Sequence, residues 1–180
     1  MSNHQPVAES WKFCPRCGAE ADVTGRNPFH CNSCGHTHYF SPVTAVGAIT
    51  TDADGNVMLL IRAKDPGKGK FGLPGGFVDP GESAEDALRR EVFEEVCLQV
   101  TRLTFLATFP NSYEFAGTAI PVTDLFFIAE VQSFDGIAVQ DGEIAAWHFC
   151  RPGPSELGNM AFESNRLALE KYLQQRTPPT

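Results

Sequence analysis

Three glutamates, Glu91, Glu94 and Glu95, stand at i, i+3 and i+4 in the middle of this 180-residue chain. On a helix they share one face, with Cβ atoms about 5–6 Å apart, and three like charges there repel. Their arc overlaps the edge of the apolar stripe formed by Ala84, Leu88, Val92 and Val96, so they face partly inward, where an unpaired carboxylate is costly. A hard divalent cation bound by oxygen ligands is the compensating chemistry. Glu82 can join the set from the preceding loop, and Arg90 can fix or partly neutralise the carboxylates. The flexible Leu73-Pro74-Gly75-Gly76-Phe77 brings a main-chain carbonyl, near Gly75 or Gly76, to the helix start as a further ligand. Mg²⁺ suits such a site, being held by a few carboxylates plus substrate phosphate oxygens. The bland reading of so acidic a stretch, seven acids between 79 and 95 against Arg89 and Arg90, is a solvated helix face.

Cys14-Pro-Arg-Cys17-Gly and Cys31-Asn-Ser-Cys34-Gly form a second constellation. Two such knuckles can present four thiolates tetrahedrally to zinc, and a closed four-cysteine site leaves no position for water, so one structural Zn²⁺ is expected. A module of about forty residues does not fold on apolar burial alone. Two disulfides or a redox dithiol are the alternatives. His30, His36 and His38 flank the knuckles and read as bystanders while four thiols are available. Cys97 and Cys150 lie in apolar contexts and read as buried thiols.

Short elements must position these groups. Residues 43–50 and 57–62 read as a hairpin about the turn Asp52-Ala53-Asp54-Gly55. A Gly-, Lys- and Pro-rich loop over 63–76 follows. Ser83 then N-caps a helix that runs to about Cys97, with Asp86 at the capping-box position. Further strands are expected at 103–109, 125–131 and 144–149, and a final helix at 161–174. Strands, one internal helix, strands and a terminal helix predict a mixed α+β or α/β sandwich.

Composition narrows the function. Fourteen Lys and Arg against 22 Asp and Glu give a net charge of −8, which argues against a basic field for nucleic acid or anionic membrane. The first 43 residues balance three basic against three acidic side chains, so the excess falls on the rest. No apolar run is long enough for a membrane span, and the N-terminus reads as lacking a secretory signal, so a cytoplasmic protein is expected.

The run Gly76, then five residues, Glu82, then seven, Arg90-Glu91-Val92-Phe93-Glu94-Glu95-Val96-Cys97-Leu98 closely resembles the Nudix box, G-x5-E-x7-R-E-U-x-E-E-x-G-U with U aliphatic. Eight of the nine specified positions match; Cys97 stands where the family has Gly. The resemblance implies an α/β/α Nudix sandwich, a mixed sheet between helices, over residues 43–180, preceded by a zinc ribbon over 1–42. It implies that Glu91, Glu94 and Glu95 bind Mg²⁺ or Mn²⁺, that Glu82 supports the site and that the Gly76 region gives a carbonyl ligand. Asp141-Gly-Glu143-Ile-Ala-Ala-Trp147 resembles a later family segment, which nominates Glu143 as an additional ligand or base.

The implied reaction is cleavage of the diphosphate in a nucleoside diphosphate derivative, releasing a nucleoside monophosphate, with Glu91 or Glu143 handling the water. A ribbon ahead of such a domain resembles the NADH pyrophosphatases. Thr108-Phe109-Pro110-Asn111-Ser112-Tyr113 keeps the Phe-Pro-x-Ser end of their S-Q-P-W-P-F-P-x-S element and lacks its start, so NADH, FAD and ADP-ribose all stand as substrates. Arg62, Lys64, Lys68 and Lys70 form a basic loop that could attract phosphates, and Phe109, Tyr113 and Phe115 could stack on a base or belong to the core. Many family members are homodimers. The rival readings are a non-catalytic nucleotide sensor with a ribbon for partner contacts, and a Nudix fold turned to isomerising a prenyl diphosphate.

Overall fold

The fold is that of a computed structural model, which describes residues 4–139 and 142–176. The chain divides into two compact units, Met1–Val43 with Ser112–Val122, and Thr44–Asn111 with Thr123–Thr180.

In the first unit, β1 (Gln5–Pro6) pairs in parallel with the chain at Thr118–Ala119 and leads into the short α1 (Val7–Ser10). β2 (Phe29–His30) and β3 (Thr37–His38) form an antiparallel ribbon. Its buried residues are Cys14, Phe29 and Cys31, with Trp11, Ala19, Ala21, Cys34 and Phe40 packed around them. So small an apolar cluster needs another source of stability.

In the second unit β4 (Val43–Ile49) and β5 (Val57–Arg62) adjoin across the 52–56 turn, where Asp52 accepts from the Asn56 backbone N–H at 2.8 Å. β6 (Phe71–Gly72) precedes α2 (Ala84–Val96). β7 (Val100–Phe115) and β8 (Thr118–Val131) pair, with their Ser112–Val122 portion belonging to the first unit, and are followed by β9 (Ile144–Cys150), the short α3 (Pro154–Gly158) and α4 (Glu163–Arg176). β8 also pairs with β4, and β5 lies between β6 and β9, antiparallel to both.

Alternation along the strands sends successive side chains to opposite faces. Ala48, Met58, Leu60 and Phe127 pack with Leu88, Val92 and Val96 of α2. Their neighbours Ile49, Val57, Leu59 and Phe126 pack with Ala168, Leu169 and Tyr172 of α4. The sheet residues therefore lie between two helices, the α/β/α sandwich that the order of elements predicts.

The α2 helix begins as expected: Ser83 Oγ accepts from the Asp86 N–H at 3.1 Å and donates to its carboxylate at 2.7 Å. Two expectations need correction. Residues 110–124, whose Gly, Pro and Asp read as turns between the strands expected at 103–109 and 125–131, belong to long strands; they meet at Ala116-Gly117, whose φ values of 49° and 80° suit a tight hairpin turn. Cys97 is exposed, because it occupies the left-handed position closing α2, with φ 59° and its N–H on the Phe93 carbonyl. Cys150 is partly buried. Among the described residues no helix is long and apolar enough to cross a membrane.

Candidate active site and metal centre

The four thiols of Cys14, Cys17, Cys31 and Cys34 lie within 4.8 Å of one another. Cys14 and Cys34 are 3.7 Å apart at sulfur, as are Cys17 and Cys31. That is far too long for disulfides and close to the edge, about 3.8 Å, of a tetrahedron with Zn–S bonds of about 2.3 Å. The knuckles are built alike: Cys14 N–H reaches the Ala19 carbonyl at 2.7 Å and Cys31 N–H reaches that of His36 at 2.9 Å. Gly18 and Gly35 N–H groups return to the carbonyls of Cys14 and Cys31 at 2.9 and 2.8 Å. His30 faces Thr37 at 3.0 Å and His38 stacks on Trp11 at 4.6 Å, so both have other roles than ligation. The donor set fits one closed zinc site.

The glutamate constellation is organised by the glycine loop and by Arg90. The segment 74–78 runs beside β4, with Ala48 N–H on the Pro74 carbonyl at 2.8 Å and Val46 N–H on that of Gly76 at 2.9 Å. This lays the backbone against α2. Gly75 donates its N–H to Glu95 at 2.8 Å, and a Cβ on Gly76 would meet the Glu91 carboxyl group at 2.5–2.6 Å. At Gly75, with φ 146°, a Cβ would lie 2.0 Å from the Val46 carbonyl oxygen, so only glycine fits there.

Arg90 holds Glu82 through two nitrogens at 3.0 and 2.9 Å, Glu91 at 2.7 Å, Glu94 at 3.2 Å and the Phe77 carbonyl at 3.0 Å. The fork geometry of a guanidinium permits this. Its hydrogen bond holds the Glu82 carboxyl below the usual range. Burial pushes Glu91 up, against the Arg90 hydrogen bond. Glu95 is 7% exposed, and burial pushes it up to about 8 despite the Gly75 N–H, with the charges of Glu91 and Glu143 adding to the rise. A buried carboxyl group shifted this far beside further carboxylates is the pattern of a functional site.

Glu143 pairs with Lys64, and its charge is felt at both Glu91 and Glu95, which brings it to the same locale. Asp141 lies outside the described residues. Arg62 donates to the Pro66 carbonyl at 2.7 Å and covers the Phe162 ring at 5.1 Å; its charge also reaches Glu95. Lys68 and Lys70 are exposed on the same loop. Phe109 packs against Phe126 at 6.2 Å in the α4-side core, so its ring serves the core. Tyr113 belongs to the other unit, 6.5 Å from the ring of Phe115. Sequence reasoning passed over Asn165, whose side-chain oxygen accepts from the Leu73 N–H at 3.1 Å and anchors the glycine loop to α4. No local signal marks that contact, 92 residues apart.

The chain is 35% identical over 144 residues to the NAD-capped RNA hydrolase NudC of Chromobacterium violaceum, which covers 77% of this chain and 50% of that protein. It is 32% identical over 141 residues to the human NAD(P)H pyrophosphatase NUDT13, mitochondrial, covering 77% and 39%. The chain thus spans about half the length, or less, of these curated relatives. The crystal structure of a NUDIX hydrolase from Nitrosomonas europaea superposes with a TM-score of 0.69 at 25% identity, covering 92% of each chain. The NUDIX domain profile matches residues 41–167, and the chain belongs to the Nudix family.

Proposed function

We propose that the chain is a Mg²⁺- or Mn²⁺-dependent pyrophosphohydrolase that cleaves the diphosphate of a nucleoside diphosphate derivative, with NAD(H) the first candidate and FAD and ADP-ribose next. The observation that carries this reading is Glu95, buried on α2, held by the Gly75 N–H and pushed up to about 8 beside Glu91 and Glu143. A structural role does not call for so costly a group. The names of the curated relatives support the substrate class.

Glu91, Glu94, Glu95, Glu143 and the Gly76 carbonyl would hold the divalent ions. The set is all oxygen, as hard cations require, and the Gly76 carbonyl keeps a second lone pair beyond its bond to Val46 N–H. Bound there, such ions would offset phosphate charge and lower the pKa of water. Arg90, fixed by Glu82, sets the directions of Glu91 and Glu94. Glu91 or Glu143 accepts the proton of the attacking water. A new P–O bond forms in line as the anhydride P–O bond breaks, leaving a nucleoside monophosphate and the other phosphorylated half. Arg62 and Lys70 stand as substrate contacts, and the four cysteines of the 1–42 module would hold one structural Zn²⁺.

Glu94→Gln and Glu95→Gln should each lower turnover by at least about 10²-fold, the scale of losing a principal transition-state contact, with circular dichroism unchanged. Wild-type rates in either variant would contradict the assignment.

A further inference from the structure

The β4–β5 turn lies at the opposite end of β5 from Arg62 and the glutamates, and it carries a second concave feature. A cavity of about 390 Å³ is lined there by Asp54, Gly55, Arg151, Pro152, Leu173 and Arg176. Two guanidiniums reach it from distant parts of the chain and donate to consecutive carbonyls, Arg151 to Asp54 at 3.3 Å and Arg176 to Gly55 at 3.4 Å. Arg176 is further fixed by the hydroxyl of the buried Tyr172 at 2.8 Å and covers that ring at 5.6 Å. A Cβ added at Gly55 would lie 2.8 Å from its Nη2.

Among the described residues neither guanidinium makes an ion pair with a carboxylate, and that of Asp54 is engaged with neither. Both arginines, exposed residues of a chain of net charge −8, line one cavity whose lining includes the buried Pro152 and the partly buried Leu173. Asp54 lines the same cavity without pairing to either guanidinium among the described residues, and two such guanidiniums can match the oxygens of a phosphate.

We propose that Arg151 and Arg176 form a phosphate-binding site distinct from the glutamate site, taking inorganic phosphate or the phosphate of a small phosphomonoester. It does not depend on the reading of the glutamates as catalytic.

The test is nuclear magnetic resonance titration of the whole ¹⁵N-labelled chain with sodium phosphate, and separately with adenosine monophosphate, at constant ionic strength. Saturable shifts at the amides of Gly55 and Arg176 are expected. Tighter binding of the monophosphate identifies a phosphomonoester ligand whose body uses the apolar lining; equal binding identifies free phosphate. Arg176→Gln and Arg151→Gln should each weaken this response by about tenfold or more, with circular dichroism unchanged. Shifts confined to Gly75 and Gly76, no saturation at Gly55, or an equal response to sodium chloride would overturn the proposal.

Discussion

The backbone N–H of Gly75 points at the Glu95 carboxylate from 2.8 Å, joining the glycine loop to the middle helix at its most buried acid. Folding thus places a titratable group where water cannot solvate its charge. The ordinary value for Glu95 is 4.5 and the folded value about 8. Between these the native state holds a proton that the unfolded chain has lost, so stability from this group is full below about 4.5 and is lost as pH rises through about 8. In magnesium-free buffer, Glu95→Gln should match the wild type near pH 5 and exceed it near pH 8.5 by more than about 1.4 kcal/mol, the worth of one pKa unit. Urea unfolding at the two pH values checks this; equal stability at both would contradict it.

Arg90 offers a different test, since five acceptor contacts converge on one guanidinium. Lys carries the charge without the fork. Arg90→Lys should therefore lower kcat by about tenfold or more while shifting unfolding by no more than about 1–2 kcal/mol. Steady-state kinetics beside a denaturation curve separates the two effects.

At Cys97 the left-handed backbone, φ 59°, strains a residue with a Cβ. Cys97→Gly should stabilise the chain by about 0.5–1 kcal/mol, and Cys97→Val should destabilise it. The shift in denaturant midpoint reads both signs.

Asn165 anchors Leu73, and through it the loop that carries Gly75. Asn165→Leu removes the acceptor at similar size and leaves a part-buried N–H unpaired, a cost of about 1–3 kcal/mol. Asn165→Asp keeps an acceptor. The leucine variant should need a higher magnesium concentration for half-maximal rate, and the aspartate variant should resemble the wild type in that measurement.

Much of this site is legible in local sequence because its geometry is local. Ser83 and Asp86 start the helix, and the i, i+3, i+4 spacing sets its acidic face. The two CxxC knuckles each close on their own backbone. What escapes is set by tertiary contact. The Gly, Pro and Asp of residues 110–124 read as turns, yet these residues belong to long strands that meet at Ala116-Gly117. Cys97 looks buried by its apolar neighbours, whereas the helix end turns it outward. Phe109 gives no sign in sequence that its ring will meet Phe126, and Asn165 none that it reaches Leu73.

The thiol cluster predicts about one zinc per chain. Cys31→Ala should release it and speed amide hydrogen exchange across residues 10–40, since such modules fold around their metal. Metal analysis with exchange mass spectrometry reads both. Cysteines paired as disulfides in a metal-free chain would contradict the zinc site.

The most direct test of the central claim is product analysis by mass spectrometry after incubating the chain with Mg²⁺ and NADH, NAD, FAD, ADP-ribose or nucleoside triphosphates. The account predicts adenosine monophosphate from at least one dinucleotide or from ADP-ribose, and none from the Glu95→Gln variant. No cleavage of any of them by a folded, zinc-loaded chain would contradict it.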